Sequence, residues 1–306
     1  MLWALSVTGH GRFPEHERWL LDAVRRSRAE RPGFYDGMAG VAYVLDHLGH
    51  TAEAAELTGR LLDRAAEPWA MSLFSGLSGI GATLLHFGHL EEAQAVAGRL
   101  AVAVERGEPQ AGKSDVEAGL MRGWSGVALF LIRLHERTGD PAWLDLAVRA
   151  LHHDLDHCVV TGDGALMVEE KGVRTLPYLD VGSGGIALVI DELLACREDE
   201  RCADSLPALL IGPSRRFAIQ ADLFRGQASK IATLARLTHR VDRRQTLESH
   251  LRDLSWHAIP YRGELAFPGS LGFRLSMDLA TGGAGVLLAM STAAGGPFLP
   301  FFSRAA

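Results

Sequence analysis

Hydrophobic and polar positions are arranged along this chain in two alternating ways. Residues 41–45, 80–85, 127–132, 186–190 and 286–290 are apolar on nearly every helical face. Helices of that composition have no polar side to offer to water, so protein must enclose them. The segments between them carry a single apolar stripe. Within residues 51–67, Ala54, Leu57, Leu61 and Leu62 recur at helical spacing, while Glu53, Glu56, Arg60 and Arg64 face away. Residues 90–106, 141–157 and 246–256 read the same way. The pattern predicts enclosed inner helices alternating with half-wet outer ones.

A glycine-bearing turn opens each inner segment. The turns are Gly37-Met-Ala-Gly40, Gly76-Leu-Ser-Gly79, Gly123-Trp-Ser-Gly126, Gly182-Ser-Gly-Gly185, Gly226-Gln-Ala-Ser229 and Gly282-Gly-Ala-Gly285. Their first glycines lie 39, 47, 59, 44 and 56 residues apart, about the length of one helical hairpin with its loops. Repeated around a closed circle, this unit gives an all-α fold, an α/α toroid of six to seven helical hairpins. The glycines are expected to tolerate positive φ and to let neighbouring backbones crowd at the narrow centre. Glycines flanking the helices of an irregular all-α protein would produce a similar pattern. The repeat continues from near residue 37 to near 290 without a linker-like stretch, so one domain over 1–306 is predicted, with an incomplete repeat in the first 30 residues. Residues 198–213 read as a loop. Residues 165–176 and 259–267 read as β-hairpins with glycine-bearing turns, on the ring's turn end, where they would shape the rim of a pocket.

Longer phrases make the reading specific. They are Gly33-Phe-Tyr-Asp-Gly-Met-Ala-Gly-Val-Ala-Tyr43, Gly119-Leu-Met-Arg-Gly-Trp-Ser-Gly126, Leu176-Pro-Tyr-Leu-Asp-Val-Gly-Ser-Gly-Gly-Ile186, Leu265-Ala-Phe-Pro-Gly269 and Arg274-Leu-Ser-Met-Asp-Leu-Ala-Thr-Gly-Gly-Ala-Gly-Val286. Over almost the whole chain these resemble the LanC-like (lanthionine synthetase C) proteins, and in particular the cyclase domain of class III lanthipeptide synthetases. The resemblance implies an α/α toroid that adds a peptide cysteine thiol across dehydroalanine or dehydrobutyrine. Zinc-dependent members of the family hold their metal with a Trp-Cys-Tyr-Gly turn and a Cys-His-Gly turn. Here those turns read Leu179-Asp180-Val181-Gly182 and Phe224-Arg225-Gly226, and a further His-Gly matches Arg122-Gly123. The ligands are gone, so neither a metal nor another cofactor is expected.

Without zinc, the chemistry still needs a thiolate and a partner for the enolate formed by its addition. A free thiol of pKa about 8.5 is only slightly ionised at neutral pH. The catalytic candidates are therefore the polar turn residues. Arg225 would favour a thiolate or an enolate oxygen by charge. Asp180 would act as a base or orient Arg225, and Arg122 and Asp36 lie in other turns of the same end. An Arg–Asp pair that merely fills the vacated metal site is the competing reading. Trp124, Phe224 and Tyr178 are candidates for a peptide groove, against plain core packing.

Composition narrows the setting. The formal net charge of −6 is spread over many helices, with no basic stripe for nucleic acid and no polybasic tail for a membrane. The inner segments are short and broken by glycine, which suits a core rather than a bilayer. Three cysteines, Cys158, Cys196 and Cys202, point to free thiols in a reducing cytoplasm. Beside a toroid, 306 residues leave no room for kinase or lyase domains. The expected partner is a dehydrated precursor peptide, with kinase and lyase activity from another chain or from upstream domains. An idle toroid that only docks the peptide is one alternative. A toroidal glycosidase is another, and would need facing carboxylates, for which only Asp36 and Asp180 offer themselves. His153 and His157 have chelating i, i+4 spacing, but on an outer helix they read as a solvated face. His47, His50, His86 and His89 read as helix-end residues that interact with terminal carbonyls. Gly282–Gly285 lacks the strand and Lys-Ser/Thr of a phosphate loop.

Overall fold

The computed structural model describes residues 1–26, 31–107 and 118–302. It opens with α1 (Leu2–Val7) and α2 (Pro14–Arg26). Hairpins follow: α3 (Met38–His47) with α4 (Thr51–Arg64), α5 (Leu77–His86) with α6 (Leu90–Arg106), and α7 (Trp124–Thr138) with α8 (Ala142–Asp156). Next come α9 (Ser183–Leu194) with α10 (Glu200–Leu209), the short α11 (Ile211–Ser214), α12 (Gln227–Arg236) with α13 (Arg244–Asp253), and finally α14 (Gly283–Ala293). The two arms of each hairpin pack on one another. The inner helices contact their neighbours in the order α1, α3, α5, α7, α9, α12, α14, and α14 returns to α1. The ring is closed, and α1 stands in its seventh inner place.

Burial separates the two layers as the apolar patterning requires. Every residue of α9 from Ser183 to Leu193 is buried, and so is every residue of α5 from Leu77 to Leu85. In α4 only Ala54, Leu57, Thr58 and Leu61 are buried. The ends of the inner helices away from the turns are sealed by the C-terminal segment. Phe298, Leu299 and Phe302 are buried there, and the Phe301 ring lies 4.7 Å from Phe34 and 5.7 Å from Tyr43. Arg133 Nε donates to the Phe301 carbonyl at 2.6 Å. Glu192, at the end of α9, is 1% exposed and bound by both Arg133 and Arg236.

Of the two roles expected of the turn glycines, close approach of backbones is general and positive φ is the exception. Gly76 has φ −128° and Gly123 has φ −96°, values open to any residue. Space is what excludes a side chain. A Cβ on Gly76 would lie 2.0 Å from the Ala70 carbonyl oxygen, and one on Gly126 would lie 2.4 Å from the Leu120 carbonyl oxygen and 2.7 Å from Leu73 Cβ. Among the first glycines of the six turns, only Gly182, at φ +141°, has the conformation that glycine alone favours.

Two small sheets lie outside the ring. Strands β1 (Cys158–Val160), β2 (Leu166–Glu170) and β3 (Arg174–Leu176) form an antiparallel sheet, with Cys158 opposite Val168 and Val168 opposite Leu176. The β2–β3 hairpin is the one expected, and β1 adds a strand that was not. Strands β4 (Ile259–Tyr261) and β5 (Glu264–Ala266) form the second hairpin around Arg262-Gly263. The loop reading of residues 198–213 is corrected, because α10 and α11 occupy it. The Asp199 carboxylate accepts from the Cys202 N–H at 2.9 Å and caps α10, whose buried stripe is Cys202, Leu206 and Leu209. The charged opening and Pro207, near the last turn, disguise that helix in the sequence. Three of the four helix-end histidines bind side chains rather than terminal carbonyls: His86 with Asp46 at 2.9 Å, His50 with Glu17 at 3.1 Å and His47 with Ser6 at 3.2 Å.

Gly126→Ala is expected to destabilise the fold by about 1–3 kcal/mol in chemical denaturation, as overpacking against backbone does. Wild-type stability in this variant would refute the steric account of the turns.

Candidate functional site

The six turns are joined by a relay of backbone hydrogen bonds. In each of the first five turns, the residue two places before the first glycine donates its N–H to the carbonyl of its counterpart in the next turn. The bonds run Tyr35 to Phe74 at 2.9 Å, Phe74 to Met121 at 2.9 Å, Met121 to Asp180 at 3.0 Å, Asp180 to Phe224 at 3.1 Å and Phe224 to Ala280 at 3.1 Å. Side chains at these positions therefore converge. Tyr35, Phe74 and Phe224 form an aromatic cluster with centroids 5.3 to 6.2 Å apart. Phe224, expected to contact substrate, is 3% exposed and is part of this floor.

Asp180 is the one carboxylate in the relay, and its backbone is fixed on both sides. Its side chain is 5% exposed and lies between two guanidiniums. Arg225 Nε donates to Oδ2 at 2.7 Å, and Arg122 Nε lies 3.4 Å from Oδ1, a charge contact without hydrogen-bond geometry. The Arg122 guanidinium also stacks 4.5 Å over the Phe74 ring. The two arginine side chains remain 33% and 35% exposed, so the cluster has an anion-friendly outer side. Three of the four catalytic candidates thus meet. Asp36, from the first turn, completes the group at longer range: burial pushes its carboxyl up, while the charges of Arg31 and Arg122 pull it down.

Tyr178 is half-buried beside the cluster, its hydroxyl pushed up by burial and by the charge of Asp222, with Arg174 opposing. The β2–β3 hairpin forms part of the rim. Its Glu170 is held below the usual carboxylate range, chiefly by the hydrogen bond from Arg174 and also by the Arg225 charge. Trp124 requires a correction. It is 2% exposed and packs outward on His153, 5.1 Å away, so it belongs to the core rather than to a groove. His153 is correspondingly half-buried, bonded to the Val104 carbonyl at 2.8 Å, and not part of a solvated face.

Two supporting residues escaped the sequence reading. The Asp222 Oδ1 accepts from the Arg225 N–H at 2.6 Å and shapes that turn. Asp three residues ahead of a turn residue is the signal that would have found it. Asp154, on outer helix α8, is fully buried and receives the N–H groups of Gly119, Trp124 and Ser125 together with the Ser125 hydroxyl. Burial pushes its carboxyl up to about 6 against those four donors. It fixes the third turn, and hence Arg122, from behind.

The donor set at the centre does not fit zinc. Structural and catalytic zinc sites use thiolates, imidazoles and carboxylates. Here a single carboxylate lies between two cations, and its neighbours in the relay are Met121 and Phe224. Among the described residues, the ligand atoms of His152, Asp199 and Cys202 lie within 4.8 Å of one another, but on outer helices. Asp199 is already engaged there by His152 at 3.0 Å and by the α10 cap. The three cysteines are all free thiols. No described helix is long and apolar enough to cross a membrane.

A closed double ring whose glycine turns converge over one polar cluster makes this chain an α/α toroid. The chain is 41% identical over 323 residues to a probable SapB synthase of Streptomyces coelicolor, a match covering 98% of this chain and 34% of that protein. It therefore spans about a third of the length of that curated relative. Its fold is similar to that of nisin cyclase, with a TM-score of 0.70 and 13% identity over 95% of this chain and 85% of the other. A GH76 alpha-mannanase from Bacteroides thetaiotaomicron is a more distant match in fold, with a TM-score of 0.50 and 11% identity over 95% and 96% of the two chains. No protein-family model matches the chain.

From the donor set, purified protein is expected to carry no stoichiometric zinc by elemental analysis. One zinc per chain, released by alkylating any of the three cysteines, would contradict this reading of the centre.

Proposed function

We propose that this chain is a zinc-independent lanthipeptide cyclase, adding a peptide cysteine thiol across dehydroalanine or dehydrobutyrine to form a thioether. The observation that carries the reading is Asp180 clamped between Arg225 and Arg122 on the face where the turns converge. The kinship with a SapB synthase supports a lanthipeptide setting for that chemistry.

The trio of two guanidiniums and one carboxylate carries one net positive charge. A thiolate approaching the turn face is stabilised by it, which lowers the cost of ionising a thiol at neutral pH. Attack at the alkene β-carbon forms the carbon–sulfur bond and moves the π electrons onto the adjacent carbonyl, where an enolate oxygen develops. The exposed edges of Arg225 and Arg122 are placed to receive that charge. The α-carbon then takes a proton, matching the one the thiol lost, so the reaction is a net addition and needs no oxidant or reductant. Asp180, with each oxygen facing a guanidinium, is the orienting residue rather than the base. Alignment of thiol and alkene on the rigid turn ring supplies the remaining acceleration.

In this reading the substrate is a dehydrated precursor peptide, and kinase and lyase activities come from other domains or chains. The toroid works as one domain in the cytoplasm, the compartment that keeps Cys158, Cys196 and Cys202 reduced.

Arg225→Ala is expected to slow thioether formation about 100-fold, the usual scale for losing one charge-stabilising donor, with peptide affinity little changed. The measurement is protection of peptide thiols from alkylation over time. Equal rates in wild type, Arg225→Ala and Asp180→Ala would remove the site assignment. Peptide binding without any protection above the uncatalysed level would select a docking scaffold instead.

A further inference from the structure

The addition leaves one proton to be supplied. The enolate has to be protonated at the α-carbon, and the charged trio offers no donor for it. Asp180 lies between the two arginines, and a guanidinium does not release its protons. Several hydroxyls around the turns are already engaged or enclosed. Ser75 pairs with Ser72 at 3.3 Å, Thr281 donates to Asp278 at 2.9 Å, and Ser183 is wholly buried. The Tyr35 hydroxyl is enclosed, pushed up by burial and by Tyr43 of α3. Tyr178 differs. It stands two residues before Asp180, is half-buried, and its hydroxyl makes no hydrogen bond among the described residues. Its backbone is fixed: the carbonyl accepts the Gly185 N–H at 3.1 Å, and the following N–H, of Leu179, is held by Ser229 Oγ at 2.7 Å. A Cβ on Gly182 would lie 2.5 Å from the Tyr178 nitrogen, so the turn closes tightly around it. The charged neighbours of the hydroxyl are Asp222, whose carboxylate shapes the Arg225 turn, and Arg174 of β3, which is paired with Glu170. Arg174 and Glu170 both feel the Arg225 charge. The hydroxyl therefore stands between the β2–β3 rim and the fifth turn, near Arg225. Burial and the Asp222 charge keep it protonated at neutral pH, the state that a proton donor needs.

We infer that Tyr178 is the general acid of the addition, its hydroxyl protonating the α-carbon of the enolate that Arg225 and Arg122 stabilise. The inference rests on the cyclase reading for the reaction. As the carbon–sulfur bond forms, the alkene electrons move onto the carbonyl. They return to the α-carbon as a carbon–hydrogen bond made with the Tyr178 proton, and a phenolate is left. The Arg174 charge favours that phenolate, which recovers a proton from the solvent that took up the one lost by the thiol. Protons and electrons balance over the cycle. A donor fixed at one side of the turn face delivers its proton to one face of the planar enolate, so the new centre at the α-carbon has a single configuration.

The test uses a synthetic peptide with one dehydroalanine and one cysteine, and reads both the rate of thioether formation and the α-carbon configuration of the hydrolysed product. Wild-type protein is expected to give one configuration. Tyr178→Phe keeps the ring and removes only the hydroxyl. It is expected to lower kcat about 100-fold, the lower end of what general acid catalysis contributes, with KM unchanged. Its product is expected to contain both configurations, because water then protonates the enolate from either face. A loss of packing alone would slow the reaction without mixing the configurations. Wild-type kcat in Tyr178→Phe, or a slower reaction that still gives one configuration, would overturn the inference. Mixed configurations in Asp36→Asn but not in Tyr178→Phe would overturn it in favour of the first-turn carboxyl. Catalysed thioether formation by wild type with both configurations would overturn the inference and leave the cyclase reading standing. No thioether above the uncatalysed level in wild type would overturn the cyclase reading, and the role of Tyr178 with it.

Discussion

The structure depends on the backbone relay that ties one turn to the next. Helix hairpins of this length could pack in many arrangements, and burial of apolar faces is not directional. The bonds from Tyr35 through Phe74, Met121, Asp180 and Phe224 to Ala280 are directional, and they set the separation and tilt of six turns at once. They also explain the glycines. Leu73 Cβ sits where a side chain on Gly126 would begin, because the relay draws adjacent turns that close. Where the fifth turn has serine in place of glycine, Ser229 Oγ accepts the Leu179 N–H at 2.7 Å, so the exception adds a bond between turns instead of a clash.

The site follows from the same constraint. Asp180 does not find its arginines by chance, since the relay fixes its backbone between Met121 and Phe224, the residues that immediately precede Arg122 and Arg225. Asp222 and Asp154 hold those two turns from within and from behind. A charge cluster prepared in this way loses little by reorganising when an anion forms beside it, which is the basis of electrostatic catalysis.

Much of this was legible in the sequence because it rests on periodicity and on short phrases. The bounds 90–106 coincide with α6, since its stripe and polar face alternate cleanly. The pairing of Asp180 with Arg225 was readable from their match to the metal-ligand turns of the resembled family, and Arg122 was expected only on the same end of the ring. What the sequence concealed depends on distance rather than pattern. Trp124 looks like a turn aromatic, yet the start of α7 faces α8 and buries it on His153. Helix α10 hides behind Pro207 and a run of charges, because its stability comes from the Asp199 cap and three buried positions. The steric need at Gly76 cannot be told from a need for positive φ without coordinates. Asp154 is a single acidic letter on an outer helix, and only its four donors reveal it as a clamp on the third turn.

Amide hydrogen exchange read residue by residue tests the central claim most directly. The account expects the turn amides of Tyr35, Phe74, Met121, Asp180 and Phe224 to exchange as slowly as the most protected amides of the inner helices, opening only when the whole ring opens. Exchange of these five amides at the rate of ordinary surface turns, while the inner helices stay protected, would contradict it.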